Sequence, residues 1–217
     1  MVPIELVYDI NKCVSHGVGS DISFENDLYS TLNERKTNVD FYFYDHTVNG
    51  LPNNIIPNPY FFKKRITAFP SSDSDISPND TLRMGGNILW KFDIEGGEYE
   101  FIDNIDPSLL NNVKMIVMEL HWLNYKKYDA LRLLEYINKY FTLFHIHGNN
   151  YSNFYTSIGD YKIPHVVEMT FVNNGLILSK EIPSLSFPIC GTDYPNNPMV
   201  CEMELSWLNR SKPNQNT

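Results

Sequence analysis

Short apolar runs alternate along the chain with turn-rich or amphipathic stretches, and the spacing inside each run predicts its element. Lys12–Val18 reads as a first strand that runs into a turn at Gly17 and Gly19. Ser23–Glu34 carries Phe24, Leu28 and Leu32 at helical spacing, with Ser23 suited to the N-cap. Val39–Tyr44, Phe61–Phe69 and Asn87–Asp93 read as the next three strands, and the loop LPNNIIPNP precedes the middle one. A helix is expected over Glu98–Ile105, then a strand over Val113–His121. Tyr128–Tyr140 places Leu131, Leu134, Ile137 and Tyr140 on one face and predicts an amphipathic helix. Phe141–His147, Val166–Val172 and Leu176–Lys180 close the sheet, and the Asn173-Asn174-Gly175 turn predicts an antiparallel hairpin at its end.

Strands alternating with helices predict an α/β fold with a mostly parallel sheet. The 217 residues show no repeat and no linker, so residues 1–209 read as one domain and 210–217 as a polar tail. Acidic residues outnumber basic ones, 26 to 17, for a net charge of −9. Such a surface repels phosphate backbones, which sets aside nucleic acid as the main partner. Three scattered cysteines (Cys13, Cys190, Cys201) form neither a disulfide framework nor a zinc pattern. The start lacks the basic and apolar regions of a secretory leader, and no run is long enough for a membrane helix. A cytoplasmic location without a membrane span is the expectation.

In a doubly wound sheet, ligands bind beyond the carboxyl ends of the strands. The first such end is His16-Gly17-Val18-Gly19-Ser20-Asp21, whose two glycines allow a tight turn and close approach of a nucleotide-like ligand. It has neither the third glycine of a dinucleotide motif nor the GK[ST] of a P-loop. The second strand ends at Asp45, placed either to accept the hydroxyls of a ribose or to cap Thr47. In NILWKFDIEGGE, alternation puts Lys91, Asp93 and Glu95 on one side. Charges in so apolar a segment need partners, and a Lys91–Glu95 pair is one way to supply them. Two further strand ends carry Glu119 with His121, and His147. Asp93, Glu119, His121 and His147 suit either of two sites. One is a general-base site. The other is a divalent-metal site, with Asp93, Glu119 and His121 as candidate ligands. The lack of a fixed ligand spacing favours the base.

Taken in order, CVSHGVGSDISFENDL, VDFYFYDHTV, ILWKFDIEGGEYEFI, IVMELHW, FHIHGNNYS, VVEMTFV and DYPNNP resemble the FkbM-type S-adenosylmethionine-dependent methyltransferases. The Lys-x-Asp-x-Glu-Gly strand end is the most specific of these segments. The resemblance implies a Rossmann-like class I methyltransferase fold with S-adenosylmethionine as methyl donor. It places Gly17 and Gly19, with His16 and Asp21 beside them, along the methionine portion of the cofactor. Asp45 then takes the ribose hydroxyls, Ser71 and Ser72 lie near the adenine, and Asp93, with Lys91 or Glu95 beside it, faces the reaction centre. His16 before the glycines and the missing third glycine depart from the pattern. The acceptor implied is a hydroxyl of a sugar or sugar-containing metabolite, commonly in surface-polysaccharide biosynthesis. A second copy or a further domain is expected to contribute to acceptor choice. Trp90, Trp122, Tyr151, Phe154 and Tyr155 are candidates to stack on sugar faces, against the plainer reading of such aromatics as core. Two rival readings stand beside this one: a non-catalytic or metal-binding protein that keeps the fold, and a nicotinamide-dependent oxidoreductase, disfavoured by the missing glycine.

Overall fold

Period-two alternation along the strands sorts their side chains onto two faces, and each face has its own cover. The computed structural model describes residues 2–152, 154–158, 161–177 and 187–205. Its strands are β1 (Lys12–His16), β2 (Asp40–Tyr44), β3 (Tyr60–Phe62), β4 (Arg65–Ile66), β5 (Asp75–Ile76), β6 (Ile88–Phe92), β7 (Val113–Leu120), β8 (Phe141–Gly148), β9 (Tyr155–Ile158), β10 (Tyr161–Pro164) and β11 (Val167–Asn173). The helices are α1 (Ile4–Val7), α2 (Ser23–Glu34), α3 (Pro78–Leu82) and α4 (Lys127–Ile137). Seven strands form the central sheet in the order β3-β2-β1-β6-β7-β11-β8. The pairs from β3 through β7 are parallel, and β11 runs antiparallel to both β7 and β8. This is a doubly wound order with its last strand inserted, reversed, between the two before it.

On one face Cys13, Phe41, Phe43, Leu89 and Met115 pack with Leu28 and Leu32 of α2. On the other, Val14, Tyr44, Trp90, Phe92 and Met118 pack with Ala130, Leu133 and Ile137 of α4. Full burial of each such aliphatic or aromatic side chain contributes about 1.5–3 kcal/mol. Between β6 and β7 the chain forms two 3₁₀ helices, Glu98–Asp103 and Pro107–Asn112, and no α-helix. No described helix is long and apolar enough to cross a membrane.

Three expectations change, and one hairpin is added. Glu98–Asp103 is a 3₁₀ helix, not an α-helix. Phe101 is drawn against Trp90 and Phe92, and Tyr99 donates its hydroxyl to the His121 carbonyl. These contacts override the local helix preference. The Asn173–Gly175 turn does not make a hairpin. Asn173 Oδ1 caps a 3₁₀ turn over Asn174–Leu176 by accepting from Gly175 N at 2.9 Å, and β11 is itself the antiparallel strand. The third expected strand splits: β3 joins the sheet, while β4 pairs with β5. The β9–β10 hairpin is an addition that the polar sequence YTSI does not announce. The rest of Leu176–Lys180, beyond Ile177, and the 210–217 tail lie outside the described residues.

Candidate functional site

β1 ends at His16, and the chain turns through left-handed backbone at Gly17 (φ 74°) and Gly19 (φ 55°), which glycine adopts at least cost. Gly17 answers a second demand. A Cβ there would lie 1.7 Å from the carbonyl oxygen of Asp93, because Asp93 N donates to His16 O at 2.9 Å. The glycine turn is therefore packed directly onto the end of β6. Gly17→Ala is expected to cost roughly 3 kcal/mol once the neighbouring backbone has shifted, lowering the thermal midpoint by about 10 °C. An unchanged melting curve would remove this contact as the reason for the glycine.

Asp45 follows β2. Its Oδ2 accepts from the amides of Val18 and Gly19, each at 2.8 Å, and its Oδ1 from the amide and hydroxyl of Thr47, each at 2.6 Å. Burial alone would raise its pKa, but these donors outweigh burial and hold the carboxyl at about 2. Capping of Thr47 is thus present, together with a brace on the glycine turn. The remaining residues expected around a cofactor are placed less directly. Asp21 is exposed and accepts from Ser23 N at the start of α2. Ser71 and Ser72 donate to Asp75, which also pairs with Arg65 at 2.9 Å. The His16 ring is a correction. It is fully enclosed on the α4 face, with Nδ1 accepting from Trp90 Nε1 at 3.2 Å and Nε2 3.0 Å from Thr81 Oγ1. Burial lowers its pKa to about 3, so it is a neutral core histidine whose ring offers nothing to a ligand.

Lys91 also pairs otherwise than expected. Its partner is not Glu95 but Glu25 of α2, with Nζ 3.3 Å from Oε1, and Ser15 donates its hydroxyl to the same oxygen. The Glu25 side chain is 1% exposed. Its position on a helix twelve residues long, facing a strand far away in sequence, gave no local signal.

The acidic strand ends do converge. Phe92 pairs with Met118, so Asp93 and Glu119 stand one step beyond on adjacent strands. Glu119 pairs with Glu168, which pairs with His147, extending the row across β11 to β8. His121, just past β7, has a side chain only 8% exposed. Its Nδ1 lies 2.9 Å from Oε1 of Glu98, a carboxylate that is fully buried and also accepts from Ile94 N. Its Nε2 faces Glu119 at 3.4 Å and Asp93 and Glu95 at 3.6 Å each. Asn149 donates to Glu119 at 2.5 Å. Glu95 (φ 56°) and Trp122 (φ 60°) both take left-handed backbone without being glycine, a strain that the surrounding packing must hold. Burial and the charges of Glu119 and Glu95 raise the Asp93 carboxyl to about 7, against the opposing pull of Lys91 and His121. For His121, burial works downward, but Glu119 and Glu98 outweigh it and hold the imidazole at about 10. With only its protein neighbours, His121 is a cation among four carboxylates, and an imidazolium has no lone pair for a proton.

His147 lies apart from this group. It sits two strands from Glu119, with Nδ1 3.2 Å from Glu168 and Nε2 3.1 Å from Glu202. His145 beside it pairs with Asp193 at 2.9 Å. Residues 187–205 thus lay Asp193, Asn196 and Glu202 over the outer strands of this face. Asp93, Glu119 and His121 are brought together as a site; His147 is not in contact with them among the described residues. Glu95 stands beside Asp93 as the alternation implied, and Glu98 is the member sequence reading did not place there.

Of the candidate stacking aromatics, Trp90 is core, while Trp122, Tyr151, Phe154 and Tyr155 are exposed. Trp122 lies at the site itself, its Nε1 3.4 Å from the Glu95 carbonyl. Compared with models of known protein families, the chain matches none, and no curated protein matches its sequence.

Proposed function

We propose that the protein is an S-adenosylmethionine-dependent O-methyltransferase acting on a hydroxyl of a sugar or sugar-containing metabolite, as in surface-polysaccharide biosynthesis. One observation carries this reading: the glycine turn and the acidic end of β6 are in direct backbone contact, Gly17 against Asp93, at the carboxyl edge of a doubly wound sheet. The resemblance puts a cofactor and a reacting hydroxyl on the two sides of that contact. The mostly parallel seven-stranded sheet is compatible with a Rossmann-like fold.

The residues fit the cofactor in part. Space beside Gly19 is open, with nothing within 4 Å of where a Cβ would stand. The Asp45 carboxylate already has four donors on its four lone-pair directions. Two of them come from Thr47, which is exposed, and a vicinal diol could replace that pair. When bound, the cofactor supplies an electrophilic methyl group on a sulfonium. The chain's own part is to hold the ribose at Asp45, keep the turn against β6, and orient an acceptor hydroxyl beside Asp93 and Glu119. Positioning of this kind supplies much of the acceleration in such a displacement.

The test is calorimetric titration with S-adenosylmethionine and S-adenosylhomocysteine. Micromolar binding, weakened at least tenfold by Asp45→Ala, is expected. The saturated Asp45 carboxylate favours the second reading, a non-catalytic or metal-binding protein on the same fold. That reading takes over if neither compound binds to folded protein at millimolar concentration.

A further inference from the structure

We propose that Asp93, Glu95, Glu119 and the Nε2 of His121 form a binding site for one divalent first-row metal ion, with Glu98 orienting the histidine. Asp93, Glu95 and His121 can each bring a ligand atom within 4.8 Å of the others, and Glu119 lies 3.4 Å from the same nitrogen. Beyond the cluster of acids, the way the histidine is held points to an ion.

The His121 side chain is more than nine-tenths buried, and its two nitrogens are treated differently. Nδ1 is tied at 2.9 Å to the wholly enclosed Glu98. This is how a metal-ligating histidine is usually held: one nitrogen fixed by a carboxylate, so that the other points outward in a set direction. Nε2 points into the gap between Asp93, Glu95 and Glu119, and no oxygen there comes nearer than 3.4 Å. A single N–H cannot serve three oxygens at 3.4–3.6 Å well. Ligand atoms about 2.1 Å from a six-coordinate ion stand roughly 3 Å apart, so a small inward movement closes the set.

Charge points the same way. Asp93, Glu95, Glu98 and Glu119 surround one histidine, and the nearest lysine, Lys91, is engaged by Glu25. Asp93 and Glu119 are mostly buried, and one imidazole cannot offset the four carboxylates around it. Three carboxylates with one imidazole suit Mn²⁺ better than Mg²⁺, which takes oxygen ligands, or Cu²⁺ and Ni²⁺, which prefer nitrogen. His147 is outside the set because Glu168 and Glu202 hold it elsewhere.

The metal site stands without the methyltransferase reading, and its test uses no S-adenosylmethionine. The 217-residue chain is stripped with EDTA, desalted and titrated with MnCl₂, with free Mn²⁺ followed by electron paramagnetic resonance. One saturable site per chain is expected, at least tenfold tighter for Mn²⁺ than for Mg²⁺ in competition. Asp93→Asn and His121→Gln should each weaken it at least tenfold. Glu98→Gln should weaken it about 10–100-fold, as loss of a carboxylate behind a ligating histidine does. Asp40→Asn, an exposed acid at the amino end of β2, should leave it unchanged. Thermal melts of each variant without metal show which are folded, and the unmodified chain alone suffices to overturn the proposal. It falls if the unmodified chain shows no saturable site, or if folded His121→Gln binds Mn²⁺ as the unmodified chain does.

Discussion

Lys91→Met is expected to destabilise the fold by about 3–5 kcal/mol, lowering the thermal midpoint by roughly 10 °C, because it strands a buried carboxylate. Glu25 is enclosed between α2 and the sheet, with only the Ser15 hydroxyl and the Lys91 ammonium on Oε1. Its Oε2 has no hydrogen-bond partner. Removing the lysine leaves a charge with one neutral donor in an apolar setting, which costs far more than the pair contributes when intact. The discriminating protein is the double variant, Lys91→Met with Glu25→Gln. It removes both charges, keeps an acceptor for Ser15, and should recover at least half of the loss in urea denaturation. A double variant that melts as low as Lys91→Met alone would show that packing of the lysine stem, not charge pairing, sets the cost.

That pair marks what local sequence could and could not convey. Alternation in NILWKFD correctly demanded a partner for Lys91, since an unpaired ammonium is not tolerated between Trp90 and Phe92. It could not say which, because Glu25 and Lys91 meet only after α2 has folded across β1 and β6. The strands were legible for the same reason throughout: a side chain in a two-faced sheet must alternate, and Phe41, Phe43, Leu89 and Met115 do so whatever their distant partners. Helix α4 was legible from the spacing of Leu131, Leu134 and Ile137, but its inner face lies one residue earlier: Ala130, Leu133 and Ile137 are buried and Leu131 is exposed. Glu98–Asp103 was not legible, because the contacts of Phe101 and Tyr99 decide its form. The same applies to the site. Asp93, Glu119 and His121 could be grouped because each stands at a strand end. Glu98 looked like an ordinary first-turn acid, and its burial behind His121 depends on the 3₁₀ turn. His147 also stood at a strand end, but the carboxylates that claim it, Glu168 and Glu202, come from β11 and from the segment after it. His16 read as part of a ligand-binding turn, yet it is the last residue of β1 and its side chain follows the alternation of that strand into the core.

The two histidines that looked equivalent in sequence should therefore separate in function. Single replacement of His121 by Asn is expected to lower methyl transfer by about 10²-fold, because Asp93 and Glu119 lose the group that holds them in place beside the reacting hydroxyl. His147→Asn should lower it by less than tenfold, a bound set by its two-strand separation from Asp93 and Glu119 and its enclosure by Glu168 and Glu202. Its loss should register in stability instead, because Glu168 and Glu202 would be left without their shared partner. The measurement is transfer of a labelled methyl group to a panel of mono- and oligosaccharides, with a melting curve for each variant. Full rates in both folded variants would remove the histidines from the chemistry and leave the carboxylates to act alone. A loss confined to His147→Asn would move the reacting hydroxyl to the outer strands, where Asp193 and Glu202 close over the sheet. A loss confined to His121→Asn would set it at the end of β7, against the strained Glu95 and Trp122 backbone, whose left-handed conformations would then have a functional reason.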